Sequence, residues 1–287
     1  MQPQQNGKSA FGSIRRRGVL LHISSLPSKY GIGTVGRTAY RFIDILKQNG
    51  ADLWAVLPMG PTGYGDSPYQ SFSSFALGPY FLELEALVKK GFLTKEECES
   101  AFPRGSFNES RCDYGLLHRE RMPLLTTAYA RAMQIPGFDE ALDRFAAERP
   151  YIAEYALFMA IKGQQGGKPW YEWPEGLKRR DPSALQAAMP KLVHEYRVYL
   201  FIEKELFGCW VKLRRYAKKH GIALMGDMPI YCAYDSADCW AHPEQFDLDE
   251  ELRPRSVAGV PPDYFSEDGQ LWGNPLYDWD YHKKTGY

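Results

Sequence analysis

The stretch GVLLHISSLPSKYGIGTVGRTAYRFIDILKQNGADLWAVLP, residues 18–58, decides the fold. Residues 18–26 (GVLLHISSL) form an aliphatic run that stops at Pro27, the pattern of a short buried strand. A glycine-punctuated loop, SKYGIGTVG, follows. Residues 37–49 then place Tyr40, Ile43 and Leu46 at helical spacing with Phe42 and Ile45 beside them, and Gly50 stands where a helix C-cap belongs. Residues 52–58 (DLWAVLP) are a second apolar strand. Strand, helix and strand in so short a span make a βαβ unit, whose strands are parallel and whose crossover is right-handed.

Beyond this unit the chain makes an ornate loop, GPTGYGDSPYQSFSSFALGPY, residues 60–80. It lacks the GxGxxG order and the lysine of a phosphate loop. Tyr64, Asp66, Ser67, Tyr69 and Gln70 offer hydroxyl, carboxylate and ring contacts suited to a neutral polyhydroxylated ligand. Asp-Ser-Pro is also an ordinary turn sequence and tyrosines also pack, so the residues alone leave both readings open. Residues 81–189 are mostly helical in pattern. Thr94 with Glu97 spells a capping box, and helical periodicity runs through 113–133, 138–148 and 151–164. We expect a helical insertion that covers the core and flanks a cleft.

Residues 190–220 read as one long amphipathic helix, with Leu192, Tyr196, Leu200, Phe207, Trp210 and Leu213 near one face and Gly221 closing it. A third strand opens the segment 222–230 (IALMGDMPI), and Asp227 stands at that strand's C-terminal end. Parallel α/β sheets collect ligand groups there, although a turn or capping aspartate fits the same position. Residues 259–275, GVPPDYFSEDGQLWGNP, combine prolines, glycines and aromatics in a way that excludes a regular helix or a central strand. They read as a shaped loop, and long aromatic loops after a strand commonly bind ligands. The organisation expected is a tail at 1–17, two strands with their loops at 18–80, the insertion at 81–189 and a continuation at 190–287.

The 287 residues carry 35 basic and 35 acidic side chains, which gives no electrostatic reason to expect nucleic acid or an anionic membrane. The triplet Arg15–Arg17 is too short to alter that. No apolar run approaches the roughly 20 residues of a membrane span. The polar start MQPQQNGKSAFGS has no apolar signal core and is expected to be disordered, with the cytoplasm as the default location. Cys98, Cys112, Cys209, Cys232 and Cys239 show no CxxC spacing and read as free thiols. Asp247, Asp249 and Glu250 faintly suggest a calcium loop, but Arg253 and Pro254 occupy places such a loop needs, so no metal is expected. Aromatic residues reach 14% of the chain, with many Tyr and Trp, which stack on sugar rings or bury at interfaces.

Four segments together, GVLLHISSLPSKYGIG, LWAVLPMGPTGYGDSPYQSFSSFALGPY, GDMPIYCAYDSADCWAHPEQFDLD and GVPPDYFSEDGQLWGNPLYDWDYHKKTGY, resemble the 4-α-glucanotransferases, or amylomaltases, of glycoside hydrolase family 77. The resemblance runs from Gly18 to Tyr287 and is weakest in the helical insertion. It implies a (β/α)8 TIM barrel with helical inserts, of which this α/β chain would hold the first three strands. It also implies transfer of part of an α-1,4-glucan to the 4-hydroxyl of glucose or a maltooligosaccharide, through a retaining double displacement and without metal or organic cofactor.

On the matching positions, the resemblance implies that Ser67 and Tyr69 contact the donor side and that Tyr64 serves a second glucan site. It further implies that Asp227 supports the sugar site without being nucleophile or acid, and that Trp272 and Asn274 line the cleft. Asp263, Tyr264 and Phe265 would form a loop tip over it. The family's Arg-x-Asp-His-Phe-Arg nucleophile block and its later acid/base and third carboxylate blocks do not occur in these residues. The expectation is therefore an N-terminal part of such an enzyme, inactive alone, with a non-catalytic glucan-binding protein of the same fold as the alternative.

Overall fold

The structure, a computed structural model, describes residues 15–63, 65–108 and 110–287. Tyr64 and most of the expected N-terminal tail lie outside the described residues. The βαβ unit is present: β1 (Gly18–Leu20), α1 (Arg37–Gln48) and β2 (Leu53–Ala55) are followed much later by β3 (Ala223–Met225), and the three strands pair in parallel in the order β1-β2-β3. Val19 lies opposite Trp54, and Trp54 opposite Leu224. The fully buried Trp54 donates its indole N–H to the Leu21 carbonyl at 2.8 Å and meets Phe42 of α1 edge-on at 4.9 Å. Ala39, Ile43 and Leu46 bury the inner face of α1, Asn49 caps it, and Gly50 takes the left-handed conformation with φ 68°.

The strands are shorter than the apolar runs that announced them. After Leu20 the chain keeps one more sheet bond, from Leu21 N–H to the Ala55 carbonyl at 3.0 Å, and then winds into a single 3-10 turn at Ile23–Ser25. Ile23 and Leu26 are apolar because they enter the core beneath the sheet. The strand residues of the same run, expected to be buried, are exposed, Val19 at 41% and Leu20 at 67%, so an apolar run neither guarantees a buried strand nor separates a strand from a turn packed inward.

The insertion holds α2 (Leu84–Lys89), α3 (Lys95–Ala101), α4 (Tyr114–Ala132), α5 (Phe138–Ala147), α6 (Pro150–Gln164) and α7 (Glu175–Lys178). The capping box forms as written: Glu97 N–H donates to Thr94 Oγ1 at 3.2 Å and Thr94 N–H to Glu97 Oε2 at 2.8 Å. The long helix α8 spans Pro182–Lys219 and so starts eight residues before the expected position at 190. Asp181 supplies the cap, accepting Ser183 and Ala184 N–H groups, and Pro182 suits the first turn. Pro190 sits inside the helix, where the packing of α8 along α4, α5 and α6 offsets the missing backbone bond. The division drawn at 189/190 therefore falls within one continuous helix. Of its expected inner face, Leu192, Leu200 and Leu213 are buried, while Tyr196, Phe207 and Trp210 are half-buried against the core.

After β3 come α9 (Ala237–Ala241), the antiparallel pair β4 (Val257–Val260) and β5 (Gln270–Pro275), and α10 (Trp279–Thr285). The segment 259–275, read as a loop, is thus largely a β-hairpin. A two-stranded ribbon has only edges, so prolines are tolerated at its ends; Pro261 and Pro262 stand just past β4 and Pro275 closes β5. Gly269, with φ 73°, makes the return possible, because a Cβ there would lie 2.5 Å from the Val260 carbonyl oxygen.

Candidate functional site

Three segments distant in sequence meet beyond the C-terminal ends of β2 and β3. Tyr69, in the loop after β2, donates its phenol hydrogen to Asp227 Oδ2 at 2.7 Å. This bond to a carboxylate is the main reason the Tyr69 pKa is raised, with burial and the Asp227 charge adding to it. The next residue, Gln70, donates its side-chain amide to the Trp272 carbonyl at 3.2 Å and to Asn274 Oδ1 at 2.8 Å. Asn274 is buried and donates onward to the Cys232 carbonyl at 2.8 Å. The loop after β2, the loop after β3 and strand β5 are thereby tied into one rigid group.

Tyr69 is the ring that contacts the exposed Asp227 carboxylate, and further rings stand on the segments tied to it. Tyr69 is 44% exposed and Trp272 39%, and the Trp272 indole N–H is turned to Gln270 Oε1 at 3.1 Å. Tyr231 stands 6.5 Å from the Trp272 ring and stacks on Tyr277 at 6.0 Å. Half-exposed ring faces beside a carboxylate and fixed amides can hold a neutral polyol, rings against its apolar faces and polar atoms on its hydroxyls. A cavity of about 950 Å³, lined among others by Tyr30, Arg37, Glu83 and Phe107, shares none of these residues. Among the described residues no cluster of three or more His, Cys, Asp or Glu side chains is arranged to hold a metal ion.

The other expected site residues behave differently. Ser67 turns toward its own loop: its Oγ accepts Tyr69 N–H at 3.3 Å and its carbonyl accepts Gln70 N–H at 3.1 Å, which shapes the turn that presents Tyr69. Asp263 likewise braces its own turn, accepting Phe265 and Ser266 N–H groups at 2.9 Å each. Tyr264 and Phe265, 98% and 89% exposed, project from the hairpin tip and meet each other edge-on at 5.8 Å. No hydrogen bond or ring contact among the described residues joins that tip to Tyr69 or Asp227. Asp249 accepts Glu251 and Arg253 N–H groups and caps a turn. Gln70, which makes the central links, was one polar residue among several in the sequence. Its partners lie more than 200 residues away in the chain, so no local signal marked it.

All five cysteines are free, and no helix of the described residues is long and apolar enough to cross a membrane. The family model described as 4-alpha-glucanotransferase, glycoside hydrolase family 77, matches residues 21–287. A 4-alpha-glucanotransferase of Thermus thermophilus is 48% identical over 277 residues, covering 95% of this chain and 54% of the relative. One from Aquifex aeolicus is 45% identical, covering 96% and 55%. Among solved structures, an amylomaltase from Streptococcus agalactiae in complex with acarbose superposes with a TM-score of 0.89 at 38% identity, over 94% of this chain and 55% of that one. The chain spans about half the length of the curated relatives it matches. The family model and the relatives each cover more than nine-tenths of the chain, and the chain belongs to glycoside hydrolase family 77, the 4-alpha-glucanotransferases.

Proposed function

We propose that the polypeptide carrying these residues is a 4-α-glucanotransferase, moving a segment of an α-1,4-glucan or maltooligosaccharide onto the 4-hydroxyl of glucose or another glucan by a retaining double displacement. In this reading β1, β2 and β3 are the opening strands of a (β/α)8 barrel, and the Tyr69–Asp227 pair with Gln70, Trp272 and Asn274 is part of its glucan groove. The hydrogen bond that fixes Tyr69 on Asp227 carries the proposal, because it places a ring and a carboxylate together at the strand ends where barrel enzymes bind substrate. Asp227 positions sugar. Ser67 acts by shaping the turn beneath Tyr69, and Tyr64 would add a second glucan contact.

Retention requires two carboxyl groups about 5–5.5 Å apart across the scissile bond. The motifs that carry them in this family are not among these 287 residues, so the chain by itself is expected to bind glucan without transferring it. A cytoplasmic setting belongs to the same proposal and rests on the five free thiols. To test the activity, the full-length polypeptide is incubated with maltotriose and products are separated by length. Glucose together with glucans longer than the substrate supports the reading; glucose and maltose alone, the products of hydrolysis, overturn it.

Two expected results follow from the geometry. Tyr69→Phe keeps the ring and removes the phenol that holds Asp227. Because the pair is solvent-exposed the loss falls at the low end for a hydrogen bond to a charged group, about 1–1.5 kcal/mol, or roughly tenfold in kcat/KM on maltotriose. An unchanged kcat/KM removes Asp227 and Tyr69 from the groove. Shortening the hairpin tip at residues 261–267, which removes Asp263, Tyr264 and Phe265, is expected to raise hydrolysis relative to transfer. Consecutive prolines and the Asp263 turn stiffen that tip, so it can screen an intermediate from water at small entropic cost. A deletion variant with the parent's ratio of glucose to longer glucans rules this role out.

A further inference from the structure

We propose that Phe75 and Tyr151 form a further glucan-contact surface, distinct from the Tyr69–Asp227 groove and from the contact assigned to Tyr64, and engaged by long α-1,4-glucan chains; the proposal rests on the glucanotransferase reading above. Phe75 comes from the loop after β2 and Tyr151 from the first turn of α6, yet their rings lie 5.1 Å apart at 43°. Phe75 is 63% exposed and Tyr151 41%. Two large rings brought side by side from separate elements and left open to water gain little for the fold, and such a pair has the area to stack on a sugar face.

The platform is held rigidly and has a polar border. Phe75 N–H donates to Ser73 Oγ at 3.2 Å, and Ser74 N–H to Asp238 Oδ2 at 2.8 Å. His242, which follows α9, donates its backbone N–H to the Asp238 carbonyl at 3.1 Å, and its Nε2 lies 3.1 Å from Glu154 Oε2. Glu154 stands three residues after Tyr151 on α6, one helical turn along the same side. Rings flanked by a hydroxyl, a carboxylate and an imidazole have the composition of a sugar site. The surface also shares a wall with the groove: Ser74 Oγ lies 3.3 Å from Cys232 Sγ, and the Cys232 carbonyl accepts the Asn274 amide. A chain seated in the groove can run along that wall onto the rings, which a trisaccharide does not need to do.

The test uses the full-length polypeptide with Phe75→Ala and Tyr151→Ala combined, read as mobility in native gels containing amylose and as a maltotriose titration. Two lost stacking contacts predict an amylose affinity reduced about tenfold with maltotriose binding unchanged. Phe75→Trp in the Tyr151 background is expected to keep amylose binding. Unchanged amylose affinity in the double variant overturns the proposal. Equal losses on amylose and maltotriose overturn it too, since the rings would then act through the groove or the fold. A parent protein that binds neither sugar overturns the glucanotransferase reading and this surface with it.

Discussion

Arg121→Ala is expected to lower the unfolding free energy by about 3–5 kcal/mol, roughly 10 °C in Tm for a chain of this size. Arg121 lies on α4, is wholly buried, and donates its guanidinium to the backbone carbonyls of Tyr30, at 3.2 Å, and of Leu82. Those carbonyls belong to the loop after β1 and to the segment leading into α2, so one side chain ties the helical insertion to the sheet. Burial lowers the Arg121 pKa to about 10, partly countered by the Glu83 carboxyl, and the group remains charged at neutral pH. Alanine leaves two buried acceptors without donors and empties the volume of a long side chain. Arg121→Lys keeps the charge without the planar fork and should fall between the two. Urea unfolding measures the series, and a loss below about 1 kcal/mol for the alanine variant would refute the tie.

Glu203 carries the second large effect. It is buried in α8 with no ion pair among the described residues, and its carboxyl accepts the Leu77 N–H at 3.0 and 3.3 Å. Burial pushes its pKa well above the usual carboxylate range, against the pull of the Leu77 N–H. The folded state therefore keeps a proton that the unfolded chain releases, and stability falls as pH rises from the unfolded carboxylate pKa toward the raised folded one. Glu203→Gln retains an acceptor for Leu77 and removes the titration, so this variant should be the more stable at neutral and alkaline pH, with the difference shrinking toward pH 4.

Glu203→Ala leaves the part-buried Leu77 N–H without a partner and should cost about 2–4 kcal/mol relative to the glutamine variant at every pH, since neither variant titrates at this position. Since Leu77 closes the segment that begins at Ser71, directly after Gln70, the alanine variant should also weaken maltotriose use. Thermal unfolding of the three proteins from pH 4 to pH 9 checks the sign. Parallel curves for the parent and the glutamine variant would mean that Glu203 does not titrate in this range.

What the sequence determined by itself was set by interactions within a few residues. The βαβ unit follows from apolar spacing, the α3 start from Thr94 and Glu97, and the end of α1 from Gly50, and each needs only a neighbouring turn to form. Sequence motifs also placed Asp227 just beyond the end of β3 and singled out Tyr69 among the residues of the loop after β2. The tertiary structure decided whatever depended on a partner far along the chain. It set the hydrogen bonds of Tyr69 to Asp227, of Gln70 to Asn274 and of Arg121 to Tyr30, which span 158, 204 and 91 residues.

It also turned Asp263 and Ser67 toward their own backbones, made a hairpin of a segment that read as a loop, and ran α8 through Pro190. In each of these cases the local preference was weak or divided. A proline inside a helix, or a carboxylate that can cap a turn as well as hold a ligand, is settled by which buried donors and acceptors must be paired once distant elements pack.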